Sequence, residues 1–171
     1  MIDLHSHSTA SDGELSPSEL VNLAIEKNLK ALAITDHDTF SGLEEGKNAA
    51  KNSGLIFIPG IELNIERTRG EFHLLGLGLK EPSYSLIKIC NMLQDGRLSR
   101  NQQIIEKMQQ DGFPVNYEEL KEMFPVPTLG RPHVAAYLVN KKIVKKRQLA
   151  FDKYLGKGRP YYVDRSAANL Y

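Results

Sequence analysis

Met1-Ile2-Asp3-Leu4-His5-Ser6-His7-Ser8-Thr9-Ala10-Ser11-Asp12-Gly13 opens the chain. Apolar and polar residues alternate from Ile2 to His7, the period of a short strand, which puts His5 and His7 on one face. Asp12 follows just past the strand in a Ser/Gly-rich loop. Two imidazoles and a carboxylate converging at a strand's end are the makings of a divalent metal site. An isolated His-x-His also arises by chance, or caps a strand without binding anything, so the weight falls on whether the pattern recurs.

It recurs. Ser16-Pro17-Ser18-Glu19 is a helix start, with a Ser N-cap, Pro at the first helical position and Glu three residues after the cap. Leu20, Leu23 and Ala24 supply the apolar stripe, and Asn28 ends the helix. Ala31-Leu32-Ala33-Ile34 is a continuous apolar run, as expected of a strand buried on both faces, and it ends in Thr35-Asp36-His37-Asp38. Ser41 to Glu44 repeats the capping-box spacing, predicting a helix to about Ser53 with Gly54 terminating it. Asp38 reads as a helix-entry residue. Leu55-Ile56-Phe57-Ile58 is the next strand, leading through Pro59-Gly60 to Glu62, and residues 72–78 form a fourth, paired with the extension after Glu62 across a turn near Thr68–Gly70. Strand alternating with helix is the pattern of parallel α/β architecture. The polar candidates His5/His7, Asp36/His37 and Glu62 each sit where an apolar run stops, as in barrel-type active sites built at the C-terminal ends of strands.

From about Ser83 the texture changes. Helices are expected at roughly 83–111, 116–124, 131–141 and 145–155, broken by Gly112, Pro125/Pro127 and Gly130. The division is therefore a first α/β part over 1–82, a helical insert or lid over 83–158, and a return segment over 159–171, in which Tyr161-Tyr162-Val163 opens another strand.

The chain is 171 residues long, 41% hydrophobic and 25% charged, ordinary for a soluble globular protein of one domain or one domain with an insert. No apolar run approaches the ~20 residues that span a bilayer, and no signal peptide precedes Ile2, so a membrane partner is not expected and a cytoplasmic location is. Cys90 is the only cysteine, which excludes an intrachain disulfide and a thiolate zinc cluster. The net charge of +1 conceals an asymmetry: residues 1–85 carry 7 Lys/Arg against 13 Asp/Glu, residues 86–171 carry 15 against 8. An acidic, His-bearing half suits cations and a basic half suits phosphate or nucleic acid. The run Lys141-Lys142-Ile143-Val144-Lys145-Lys146-Arg147 taken alone reads as a solvated helix face.

The ligand candidates are His5, His7, His37, His73, Asp12, Asp36 and Glu62. Imidazole and carboxylate without sulfur suit Mn, Fe, Zn or Mg. A carboxylate such as Glu62 can bridge two ions, and a metal lowers the pKa of bound water to about 7. His73 alone reads equally well as a buried strand histidine. No nucleophile elbow, phosphate-binding glycine loop or His-Glu-x-x-His helix competes for the role.

His-x-His with Ser11-Asp12-Gly13, Thr35-Asp36-His37-Asp38, Pro59-Gly60-Ile61-Glu62 and His73-Leu74-Leu75-Gly76, in that order, resemble the polymerase and histidinol phosphatase (PHP) superfamily of metal-dependent phosphoesterases. Gly130-Arg131-Pro132-His133, and Phe151-Asp152-Lys153-Tyr154-Leu155-Gly156 before Arg159-Pro160-Tyr161, resemble the insert of 3′,5′-nucleoside bisphosphate phosphatases and 5′-to-3′ exoribonucleases. The resemblance implies the N-terminal part of a distorted (β/α)7, TIM-like barrel with up to three divalent ions, commonly Mn. On this sequence His5, His7 and Glu62 would hold one ion, Asp12 and His37 a second, and Glu62 with His73 a third, with Asp36 orienting a histidine. Arg97 and Arg100, three apart on a helix and so on one side, would clamp a phosphate with Arg131 and His133, guanidinium suiting phosphate by bidentate bonding.

The implied activity is hydrolysis of nucleoside 3′,5′-bisphosphates or short RNA 5′ ends by metal-activated hydroxide, with small nucleotides or short RNA, and not double-stranded DNA, as partners. A complete member carries a later His-Pro motif, a further His-bearing stretch and a late Asp-x-His. None follows here, since the last histidine is His133. The expectation is a fragment whose site and open sheet edge need a complementing C-terminal chain. An inactive nucleotide- or RNA-binding remnant, or an amidohydrolase, which also opens a barrel with His-x-His, are the other readings. The Thr-Asp-His-Asp context and the lack of a suitably placed lysine for a bridging carbamate argue against the last.

Overall fold

The computed structural model describes residues 1–66, 72–126, 128–164 and 168. Strand β1 (Ile2–Ser6) is followed by α1 (Pro17–Glu26), β2 (Ala31–Ile34), α2 (Leu43–Ala50), β3 (Ile56–Ile65) and β4 (Phe72–Leu77). The long helix α3 (Tyr84–Gln110) leads to α4 (Tyr117–Met123), α5 (Arg131–Asn140), α6 (Arg147–Ala150) and a π-helical turn over Phe151–Leu155. The chain is thus α/β, and it forms two compact units. The first comprises 1–94 with 166–171, and the second comprises 95–165. The helix α3 contributes its first part to one and its remainder to the other.

In the first unit the strands form one sheet in the order β1-β2-β3-β4. β1, β2 and β3 are parallel and β4 is antiparallel to β3. β1 connects to β2 through α1 and β2 to β3 through α2, the helical crossovers that parallel neighbours require. Leu32 and Ile34 of β2, with Leu55, pack on Val21 and Ala24 of α1 and Ala50 of α2. A second cluster joins Ile61, Leu63 and Ile65 of β3 to Cys90 and Leu93 at the start of α3. Gly60 is required where β3 passes between its neighbours: a Cβ there would stand 2.8 Å from the Thr35 side chain and 2.9 Å from the Gly76 carbonyl. The turn expected at Thr68–Gly70 lies outside the described residues, but the pairing it implies is present, with Glu62 opposite Leu75 and Asn64 opposite His73.

The Ser16 capping box forms in full: its hydroxyl accepts from Glu19 N–H at 3.2 Å, and Glu19 accepts from Ser16 N–H at 2.8 Å. The second expected box does not. α2 begins at Leu43 with Gly42 at its cap and no side-chain cap bond, because Ser41 N–H and hydroxyl both engage Thr39 Oγ1 instead. α2 also ends at Ala50, short of Ser53, with Asn52 and Gly54 in the left-handed region.

In the second unit, Ile104, Ile105 and Met108 of α3 pack with Leu120, Val134, Tyr137, Leu138, Val144, Ala150, Leu155 and Tyr161. The strand expected at Tyr161–Val163 is absent. Tyr161 is instead buried in this helical core against Phe113 and Tyr154, and its hydroxyl donates to Asp111 at 2.6 Å, so the segment is held by side chains and not by a ladder. No helix among the described residues is long and apolar enough to cross a membrane.

Candidate metal centre

The candidate residues come together because the sheet aligns the ends of its strands. Thr35 N–H donates to Ser6 C=O, Glu62 N–H to Asp36 C=O and Asp38 N–H to Glu62 C=O, extending the ladder just past the strands. His37 is thereby bridged directly to Glu62.

Glu62 is the hub. Its Oε2 lies 2.8 Å from His7 Nε2, 3.1 Å from His5 Nε2 and 3.4 Å from His37 Nδ1, and its Oε1 meets His73 Nδ1. His7 Nδ1 reaches Asp12 Oδ1 at 2.8 Å, and Asp12 Oδ2 stands 3.8 Å from His37 Nε2. The imidazoles form a chain of ring contacts, His5–His7, His7–His37 and His37–His73, with centroids 4.7 to 5.3 Å apart. Three groups present donor atoms within 4.8 Å of one another: His5, His7, Glu62; then His7, Asp12, His37; then His37, Glu62, His73. All six expected residues are brought together, and His5 is the most open, its side chain 51% exposed against 3% for Glu62.

The electrostatics follow from this crowding. Burial opposes a charged His7, but hydrogen bonds to Asp12 and Glu62 and their negative charges outweigh it and raise its pKa from 6.5 to about 9. Burial likewise opposes the Glu62 carboxylate, yet the His7 bond, the His37 charge and the His5 and His73 bonds hold it well below the usual carboxylate range. Both His7 ring nitrogens face carboxylate oxygens, so in the metal-free chain its protonated form can donate twice. A divalent cation bound there would have to displace that proton.

Asp36 does something other than orient a histidine. Its carboxylate accepts from Ser8 N–H at 2.8 Å, Ser8 Oγ at 2.6 Å and Ser11 Oγ at 2.5 Å, and among the described residues it bonds no imidazole. The short side chain turns toward the 8–13 loop and fastens it, and that loop carries Asp12. Burial raises the Asp36 carboxyl above its ordinary range despite the serine bonds and the His7 charge. Gly13 closes the same loop onto His7, where a Cβ would fall 2.2 Å from the His7 carbonyl oxygen. Asp36→Ala leaves three buried donors without their acceptor, at about 1 kcal/mol or more each. We expect a melting temperature lower by roughly 6–12 °C for about 3 kcal/mol, read by calorimetry, with Asp36→Asn intermediate.

Asp38 is not a helix-entry residue. It is buried with φ of 56°, its side chain accepts from Asn64 N–H at 3.4 Å, and its carbonyl accepts from Gln94 Nε2 at 2.7 Å. Ser8, Ser11, Asn64 and Gln94 are the supporting residues that sequence reading missed. For the serines a signal exists, a Ser-x-x-Ser pair flanking the loop; Asn64 and Gln94 carry none.

In the second unit, Arg97 and Arg100 are buried on one side of α3, with Arg100 Nη2 3.4 Å from Asn101 Oδ1. Asn101 donates to Leu129 C=O at 2.8 Å, and His133 Nδ1 accepts from Gly130 N–H at 2.9 Å at the start of α5. This sets the Arg100–Asn101 step against the turn that carries His133. Arg131 donates to Leu155 C=O at 3.4 Å and lies 5.4 Å over the Tyr162 ring.

The PHP domain family model matches residues 3–156. The chain is 34% identical over 170 residues to a 3′,5′-nucleoside bisphosphate phosphatase of Chromobacterium violaceum, covering 99% of this chain and 60% of that one. It is 34% identical over 168 residues to a 5′-3′ exoribonuclease of Haemophilus influenzae, covering 98% and 61%. Among solved structures, a protein from Bifidobacterium adolescentis described as a metal-dependent phosphoesterase superposes with a TM-score of 0.91 at 27% identity, covering 98% of this chain and 59% of that one. The chain therefore spans about 60% of the length of the relatives it matches.

Proposed function

The chain belongs to the PHP domain family, and from that premise we propose that it forms part of a metal-dependent phosphoesterase acting on nucleoside 3′,5′-bisphosphates or RNA 5′ ends. The observation that carries the reading is the convergence of four histidines and one further carboxylate, Asp12, around Glu62 at the ends of adjoining strands. The donor set fits divalent ions: nitrogen and carboxylate oxygen with no thiolate, each offered within a few ångströms of the next, suit Mn, Fe, Zn or Mg.

On this reading His5, His7 and Glu62 hold one ion, Asp12 and His37 a second, and Glu62 with His73 a third. When bound, the ions supply Lewis-acid activation of water and stabilise charge on the phosphoryl group. The chain's own residues do the rest. Glu62 fixes four imidazoles in one arrangement, Asp36 fixes the Asp12 loop through Ser8 and Ser11, and Arg97, Arg100, Arg131 and His133 of the second unit hold substrate phosphate. Ile2, Leu4, Ile56 and Leu77 are exposed on the strands, apolar surface that further strands of a distorted (β/α)7 barrel would cover.

The test is phosphate release from adenosine 3′,5′-bisphosphate with Mn²⁺ and with chelator. Release that requires the metal and falls at least about 100-fold in His7→Ala is expected. Release indifferent to chelator and to His7→Ala, or turnover confined to amides or lactones, contradicts the reading. Tight nucleotide binding without turnover identifies an inactive nucleotide-binding protein instead.

A further inference from the structure

His37 is held in the centre through its two neighbours in the chain. On one side the Asp36 carboxylate is fastened by Ser8 and Ser11, and the Asp36 C=O accepts from Glu62 N–H at 3.2 Å. On the other side Asp38, 1% exposed, is fixed at three atoms. Its N–H donates to Glu62 C=O at 3.0 Å, its carboxylate accepts from Asn64 N–H at 3.4 Å, and its C=O accepts from Gln94 Nε2 at 2.7 Å. The first two bonds come from β3 and the third from α3.

The third bond answers a particular need. The Asp38 φ of 56° lies in the left-handed region, which Asp visits more readily than most residues but keeps only where its surroundings over-determine it. That turn directs the Asp38 carbonyl to α3, and a buried carbonyl requires a donor. Gln94 is delivered there rigidly. Cys90 and Leu93 share its face of the helix and are buried against Ile61, Leu63 and Ile65 of β3. Gln94 also lies in the interior of α3, so its side-chain amide neither caps that helix nor completes its ladder.

We propose that Gln94 is a positioning residue of the metal centre: by holding the Asp38 carbonyl it keeps the His37 ring between Asp12 and Glu62. The proposal rests on the metal-centre reading above and deepens it. His37 Nδ1 stands 3.4 Å from Glu62 Oε2, and its Nε2 stands 3.8 Å from Asp12 Oδ2. The same two carboxylates approach His7 to 2.8 Å, so they do not fix the His37 ring as they fix His7. Two of the three donor groups contain His37, and the His5–His7–Glu62 group does not. Loss of the Gln94 bond should therefore be felt unequally across the centre.

The test compares the full 171-residue chain with two variants. Gln94→Met keeps the length of the side chain and removes its donor. Ile89→Ala loosens the same helix on the sheet and leaves the amide in place. In the metal-free chain the Asp38 amide should exchange with solvent roughly 3- to 10-fold faster in Gln94→Met, the effect of one lost hydrogen bond. The Thr35 amide, bonded to Ser6 C=O, should keep its rate. Titration with Zn²⁺, followed at each histidine ring by NMR, should show binding at His37 weakened about tenfold in Gln94→Met, the lower end of what loss of an outer partner to a metal ligand costs. The midpoint at His5 should stay unchanged. Ile89→Ala should lower the melting temperature and leave the His37 midpoint where it is. An Asp38 amide or a His37 midpoint unmoved by Gln94→Met, equal weakening at His5 and His37, or the same loss at His37 in Ile89→Ala overturns the proposal. Rings that ignore Zn²⁺ in the unaltered chain count against the metal-centre reading, and the Asp38 exchange rate still judges the Gln94 bond.

Discussion

Replacing Glu62 by alanine should cost at least about 100-fold in divalent-metal affinity, more than the roughly 10–100-fold that follows loss of an outer hydrogen-bond partner to a metal ligand. No other residue of the centre has this reach. Its two oxygens face all four imidazoles, and it is nearly inaccessible. Glu62→Gln keeps the shape but removes the charge, and its amide cannot serve as an anionic ligand to cations on two sides. The loss should therefore be nearly as large. Calorimetric titration of metal-stripped chain with Mn²⁺ reads the effect. The stabilisation that bound metal brings, about 4 kcal/mol at a thousand-fold excess over Kd, should disappear in both variants. Unchanged affinity in Glu62→Ala would place the metal elsewhere.

The second large effect is on pH. His7 titrates near 6.5 when unfolded and near 9 in the folded, metal-free chain, so its stabilising charge is fully present below about pH 6.5 and is lost as pH rises through 9. Glu62 runs the other way. Its depressed pKa gives stability that is present above the ordinary carboxylate range and lost only in strong acid. The metal-free chain should thus lose roughly 2 kcal/mol between pH 6.5 and 9, a figure reduced from the full shift to allow for solvent screening of a partly exposed ring. Metal reverses the sign, because His7 must release its proton to become a ligand and affinity rises over the same interval. Melting curves in chelator and in Mn²⁺ at pH 6, 7.5 and 9 should therefore diverge as pH rises, and His7→Ala should flatten the chelator series. A melting temperature in chelator that is level from pH 6 to 9 would contradict this charge assignment.

These effects depend on contacts that were unequally visible in the amino-acid order. The period-two alternation from Ile2 to His7 and the apolar run Ala31–Ile34 announce strands whose ends carry chemistry, because burial dictates both the pattern and its stopping point. The helices of the second unit are equally plain, with Gly112 and the 125–130 segment marking their breaks. What stayed hidden was decided by competition at short range. Thr39 captures Ser41, so a correctly spaced capping box never forms. Asp38 adopts a left-handed turn because Glu62, Asn64 and Gln94 hold it there, contacts up to 56 residues away in sequence. Asp36 faces two serines where an imidazole was expected, a matter of side-chain direction that period alone does not fix. Tyr161 reads as β-prone by composition, yet an aromatic cluster with Phe113 and Tyr154 claims it.

The central claim is that His5, His7, His37 and His73, with Asp12 and Glu62, form one metal centre. Histidine ring-nitrogen NMR during titration of the metal-free chain with Zn²⁺, a diamagnetic ion, tests it most directly. The resonances of those four rings should shift together and saturate at a fixed ratio of ion to chain, while His133, which belongs to none of the candidate groups, keeps its position. Shifts confined to the exposed His5 ring, with His7, His37 and His73 unmoved, would show incidental surface binding and contradict the account.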